Sequence, residues 1–338
     1  MSFEPDYFPM GQKRRGGLLR RTLIVFGVAL LYALFCRLIF GWDALRDYAP
    51  IVSISFLTLV PMAFGALTTF LGFRFCGRSD YWRVLAPMLV TVFAFVGSFL
   101  VHLEALLCLI VALPIMLPMA ALGGVTMGWL LYHRSKNLYV NIFVLLPFVV
   151  APIEARWKTA PELVSIEDSI QINASPADIW QEIASVRAIS REEVPFRWVY
   201  LLDFPRPIAA TLDREGVGGQ RRATFERNVS FFETVTEWVP ERTIAFTIKA
   251  DPDFIPRTAF DQHIIVGGRF YDVLDGRYVI LREENGCRLV LTSTHRLSTR
   301  FNAYAGWWSR WVMNQIQSSI LTVIKGRAES RAAGRSRG

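Results

Sequence analysis

The sequence predicts two parts of different solvent class: an all-α transmembrane bundle over residues 22–155, then an α+β domain over residues 163–325. In the second part a curved antiparallel sheet of about seven strands surrounds a long C-terminal helix. Three observations predict this. Nearly all long apolar runs precede Ile153, short alternating stretches broken by charges follow Glu162, and a helix-length apolar repeat lies near the end. At 52% hydrophobic residues and a mean hydropathy of +0.32, the 338 residues are too apolar for one ordinary soluble domain.

The net charge of +8 invites a nucleic-acid partner, so its location matters. Twelve basic and seven acidic side chains occur up to Ala155, and twenty basic against twenty-one acidic from Arg156 to Ile324. The α+β domain is therefore nearly neutral, which argues against nucleic acid. Residues 326–338, with Arg327, Arg331, Arg335 and Arg337 among Gly, Ser and Ala, have the composition of a disordered basic tail. The four cysteines, Cys36, Cys76, Cys108 and Cys287, form no CxxC pair, so no disulfide framework, metal site or cofactor site is expected.

Residues 1–21 form a basic segment, with Lys13, Arg14, Arg15, Arg20 and Arg21 ahead of the first apolar run. That run is long and lacks a small-residue cleavage site, so it reads as a retained helix over 22–41 rather than a secretory signal. A second span covers 51–73. From Val84 to Leu131, about 48 residues of helix would extend about 70 Å, more than twice a hydrocarbon core of about 30 Å. The run must fold back near His102–Glu104, giving spans 84–101 and 105–132. A fifth, 138–153, is slightly shorter than the usual range of about 17 to 25 residues. Lys and Arg collect on the cytoplasmic side of short connectors. With five spans, the N-terminus and the connectors holding Arg74, Arg78, Arg83, Arg134 and Lys136 lie inside. The α+β domain is then extracytoplasmic, in a bacterial inner (plasma) membrane. If 138–153 does not cross, the domain is cytoplasmic. His102 and Glu104 fit either a proton relay or, with more weight, an interfacial turn. Gly124 and Gly128 form a GxxxG that permits close helix contact, self-association included, and Pro114 and Pro118 are expected to bend their helix.

In the second part, Val164–Ile172 reads as a strand, and Ser175-Pro176 as the cap and first turn of a helix to Val186. Further strands are expected over Gln220–Arg227, Ser230–Val239, Arg242–Ala250, Gln262–Leu274, Arg277–Glu284 and Cys287–His295. Asp275-Gly276 and Asn285-Gly286 read as tight turns between them. The last helix is expected over Ala303–Lys325, with Asn302 as cap and Trp308, Val312, Ile316, Ile320 and Ile324 as the stripe that meets the sheet.

The segments SIQINASPADIWQEIASV, FFETVTEWVPERTIAFTI and LVLTSTHRL, with the terminal helix, resemble the START-related helix-grip superfamily (SRPBCC), which includes polyketide cyclase/dehydrase-like and lipid-transfer proteins. The resemblance covers about Val164–Lys325. It implies a deep apolar pocket between sheet and helix, and hence membrane-tethered binding of an apolar small molecule or lipid. A cyclase- or dehydratase-like enzyme, or an accessory domain of a transport or assembly factor, is the alternative. The superfamily shares no fixed catalytic triad, so no catalytic residue carries over.

The strand residues Phe246, Ile248, Tyr271 and His295 and the helix residues Tyr304, Trp308 and Trp311 are the pocket candidates. His295 fits an acid–base role near neutral pH or a hydrogen-bonded structural role. His263 and Asp272, nine apart on one expected strand, fall on opposite faces. Glu233 and Glu237 share strand parity and are expected to mark a solvated face rather than a catalytic pair. Trp307 and Trp311 suit the pocket mouth, a headgroup region or rim packing. The aromatic and proline-rich Pro195–Pro207 segment suits either a gate or a core lid.

Overall fold

The computed structural model describes the chain apart from residues 1–14, 46, 49, 77–79, 103, 105, 134–137, 158, 251–265 and 336–338. Lys13, Arg14, Arg78, Arg134, Lys136, Arg337 and His263 lie outside the described residues. Two compact units are formed, Met1–Leu103 with Leu109–Trp157, and Glu104–Cys108 with Lys158–Gly338.

The first unit holds helices α1 (Arg15–Phe40), α2 (Val60–Phe75, entered through a π-turn over Ser55–Leu59), α3 (Asp80–Leu100), α4 (Leu106–His133) and α5 (Leu138–Ala155). Gly17–Phe40, Ser55–Phe75, Tyr81–Leu100 and Leu106–His133 are long and apolar enough to cross a membrane, and Tyr139–Ala155 is a shorter apolar helix. Large side chains such as Leu31, Phe35, Phe93 and Val149 point outward, so these helices are apolar on their exposed faces too. Between α3 and α4 the chain turns through His102, whose φ of 55° ends the helix. Helix α4 continues through Pro114 and Pro118. A Cβ on Gly124 would meet the Arg83 carbonyl and Pro87, and one on Gly128 the Arg83 side chain. The close contact that GxxxG permits is thus made to α3 within this chain. Glu154 has a role the apolar pattern does not predict. Buried on α5, its carboxylate accepts from the Ile54 and Ser55 amides at 2.7 and 2.8 Å and from the Ser55 hydroxyl, satisfying orphan donors at the start of the Ser55–Phe75 helix.

The second unit is a seven-stranded antiparallel sheet in the order β1-β7-β6-β5-β4-β3-β2. Its strands are β1 (Glu162–Ile172), β2 (Pro207–Leu212), β3 (Gln220–Phe225), β4 (Ser230–Val239), β5 (Thr243–Ala250), β6 (Tyr271–Glu283) and β7 (Gly286–Leu297). The sheet curls as a half-barrel on the terminal helix α8 (Asn302–Arg335). Helices α6 (Pro176–Ala184) and α7 (Trp198–Leu201) lie in the chain between β1 and β2. Ser175 caps α6, its hydroxyl accepting from the Asp178 amide at 3.3 Å with Pro176 in the first turn.

The strand total matches expectation through two compensating errors. Strand β2 is absent from the expected set, because its alanines and its opening proline are weak strand signals. Asp275-Gly276 is not a turn: both residues lie inside β6. Gly276 serves packing instead. A Cβ there would come within 2.5 Å of the Phe246 ring, so the missing side chain is what lets that ring lie against β6. Asn285-Gly286 is a true turn, with Gly286 at φ 106°. Gly276→Ala should therefore destabilise the chain by about 1–3 kcal/mol through overpacking. Adding Phe246→Leu should return part of that loss, as read by thermal unfolding in detergent.

Helix α8 corrects two further expectations. It continues to Arg335, so a disordered tail does not begin at residue 326. Arg327, Arg331 and Arg335, four residues apart, share a face and pair with Glu193, Glu182 and Asp178 respectively. Arg327 also donates to the carbonyls of Arg187 and Ala188 at 2.7 and 2.8 Å. Of the expected stripe, Ile320 and Ile324 reach the apolar core, whereas Trp308, Val312 and Ile316 are only half-buried. Each four-residue step overshoots a turn by about 40°, so Trp308 to Ile324 spread over about 160° of the helix. Buried Gly306, Met313, Gln317, Leu321, Ile324 and Ala328 lie within about 80° of one another, while Ser319 and Val323 are buried on another side, where Ser319 meets Tyr200.

Candidate functional site

Register fixes which strand residues face α8. On β7 the alternate residues Cys287, Leu289, Leu291, Ser293, His295 and Leu297 are buried. At the Cys287 end the interior is apolar, closed by Ile172, Ile179, Ile183, Leu289, Leu321 and Ile324. Toward the other end of β7 it becomes polar.

There Gln317 donates its amide nitrogen to the Ser293 hydroxyl at 2.5 Å, and His295 Nε2 lies 2.9 Å from the Ser309 hydroxyl. Both bridges run from β7 to α8. The Tyr271 ring lies 5.2 Å from the His295 ring, centroid to centroid. His295 is 0% exposed and Gln317 2%. Even so, His295 Nδ1, Gln317 Oε1 and Trp308 Nε1 are buried with no hydrogen-bond partner among the described residues.

Strands β3 and β4 contribute a second buried group. Arg221 pairs with Glu233, both inside, and the Arg221 guanidinium lies 5.3 Å from the Phe246 ring centroid and hydrogen-bonds Tyr278. Burial raises the Glu233 carboxyl above its ordinary value, and Arg221 opposes that rise. Burial likewise pushes the Tyr278 hydroxyl up to about 12. Glu233 is thus on the interior, contrary to the expected solvated face. A β-bulge between Val235 and Glu237 shifts the register, which turns Glu237 to the other face, where it pairs with Arg277 at 3.0 Å.

Among the pocket candidates, the structure brings Tyr271 and His295 together, and separately joins Trp308 to Trp311 at 6.0 Å between ring centroids. Phe246 lies in the apolar core and half-buried Ile248 packs against it. Tyr304 is half-buried near the start of α8. Trp307 is exposed, edge-on to Trp308. Asp272 sits 3.8 Å from Arg296. In the Pro195–Pro207 segment, α7 is held on α8 by Tyr200 donating to Ser319 at 2.7 Å and Arg197 donating to Ser318 at 2.8 Å. Arg221, Ser293, Ser309 and Gln317 went unnoticed in the sequence. Inward parity on β7 would have found Ser293, and the 3.6-residue period would have found Gln317.

Burial, helped by the positive charge of Arg310, pushes His295 down from 6.5 to about 4, so its ring is neutral at pH 7. Between those two values the unfolded chain takes up a proton that the folded one refuses. The stability due to a neutral His295 is therefore complete above pH 6.5 and falls as pH drops toward 4. The full gap is worth about 3 kcal/mol. His295→Gln should lose this part of the acid sensitivity, seen as a smaller drop in melting temperature between pH 7.5 and pH 5.

No family model matches the sequence. No curated protein matches it either. Solved structures similar to part of the chain include TTHA0849 from Thermus thermophilus, 20% identical over 51% of this chain and 99% of that one, with a TM-score of 0.32. Ara h 8.0201 is 11% identical over 50% and 99%, with a TM-score of 0.33. The di-domain ARO/CYC BexL from the BE-7585A biosynthetic pathway is 13% identical over 60% of each chain, with a TM-score of 0.32.

Proposed function

We propose that the protein is a membrane-anchored binding protein that holds an apolar small molecule or lipid between its sheet and helix α8, as a carrier or sensor. Two buried atoms without a partner, His295 Nδ1 and Gln317 Oε1, carry this proposal. Native interiors rarely leave buried polar atoms unmatched, because each costs about 1–3 kcal/mol. A ligand group among apolar walls supplies the missing partners. Half-buried Ile248 on the inner face is where such a molecule meets β5.

Anchoring draws on the four long apolar helices with apolar outer faces. With Tyr139–Ala155 as a fifth crossing, the basic connectors face the cytoplasm and the domain lies outside, in a bacterial inner membrane. Cys287 is buried in the core and does not report the side. Exposed Ser330 does: Ser330→Cys, labelled by an impermeant maleimide on intact cells, supports the outside placement, and labelling only after lysis reverses it.

The binding test is organic extraction of the intact chain, purified in mild detergent, followed by mass spectrometry. One apolar species near one per chain is expected, reduced in Ile248→Trp, which fills the proposed space. Finding no retained or saturable apolar molecule overturns the proposal.

A further inference from the structure

We infer that the bound molecule carries a hydroxyl group that donates its hydrogen to Nδ1 of His295, an inference that rests on the α8–sheet interior being the ligand cavity. The hydrogen positions follow from the acceptors. The Gly306 carbonyl can only accept, so the Ser309 hydroxyl commits its one hydrogen there, at 3.1 Å. The Ser309 oxygen is then an acceptor for His295 Nε2, at 2.9 Å. That places the imidazole hydrogen on Nε2. A neutral imidazole has only one such hydrogen, so Nδ1 presents a lone pair to the interior.

Gln317 adds a second buried amide atom beside a Ser293 hydroxyl that can accept or donate. The Nδ1 atom therefore requires a donor. An ether, ketone, ester or ionised carboxylate has none to give. An ammonium would donate, but its charge would be placed in an apolar interior that already feels Arg310. A neutral hydroxyl meets the requirement. Ser309 acts as a positioning residue: without it, the imidazole hydrogen is free to move to Nδ1 and turn an acceptor into a donor.

The test compares 1-pyrenebutanol with its methyl ether, which keeps the apolar body and removes the O–H. Both are titrated by fluorescence into the intact chain in mild detergent at pH 7.5. The alcohol should bind about tenfold more tightly, the effect of leaving one buried acceptor unmatched. The ratio should fall to about one in His295→Phe and toward one in Ser309→Ala, which removes only a hydroxyl and serves if the first variant does not fold. Equal affinity for both probes overturns hydroxyl recognition and leaves the apolar cavity standing. A preference that survives both substitutions overturns the role of His295. Binding of neither probe removes the cavity and the inference with it.

Discussion

Glu233→Leu lowers the stability of the intact chain in detergent by about 3–5 kcal/mol, and the double change Arg221→Met with Glu233→Leu recovers most of that loss. Arg221 and Glu233 are only 4% and 6% exposed and face one another across β3 and β4. Removing the carboxylate leaves a guanidinium that no water reaches, and its remaining contacts with Tyr278 and the Phe246 ring do not neutralise it. Removing both charges withdraws the desolvation cost along with the attraction, so side chains of similar volume restore packing. Thermal unfolding followed by tryptophan fluorescence reads the two variants side by side. If the double change is as damaging as the single one, the pair is not isolated and other charges depend on it.

Leu321→Ala costs about 2–5 kcal/mol, whereas Val312→Ala costs about 1 kcal/mol or less. Leu321 is 1% exposed in the apolar core, and Val312 is half-buried on a different side of α8. The same melts separate the two. A larger loss at Val312 would mean that the side through Trp308, Val312 and Ile316, not the one through Met313, Gln317 and Leu321, faces the sheet.

Long elements with one dominant signal were legible in the sequence. The apolar runs announced the helices of the first unit, the Ser175-Pro176 start announced α6, and alternation announced β1, β4, β5 and β7. The failures have physical causes. Gly276 carries the same letters as a turn glycine, yet it is required by a ring on the neighbouring strand, which no local pattern displays. The bulge after Val235 shifts parity within β4, so two glutamates that look equivalent end on opposite faces. The basic end of α8 resembles a disordered tail because its partners, Glu193, Glu182 and Asp178, lie more than a hundred residues earlier. Glu154 is similar, since its value comes from amides presented by Ile54 and Ser55.

Of the candidate site, the sequence named His295 and Tyr271 but not what makes them matter. The aromatic clusters were visible because aromatics are few and conspicuous. Ser293, Ser309 and Gln317 were not, since hydrophobic periodicity passes over small polar residues even when they lie on the buried face. Only the bonds from β7 to α8 show that one nitrogen of His295 is used and the other is open.

Photocrosslinking from position 248 tests the central claim most directly. A benzophenone-bearing residue there, in the intact chain within its own membranes, should attach to one apolar small molecule identifiable by mass spectrometry, and Leu291→Trp should suppress that adduct. Attachment only to residues of α8, with no small-molecule adduct, would mean that the interior is filled by protein and that the proposed cavity does not exist.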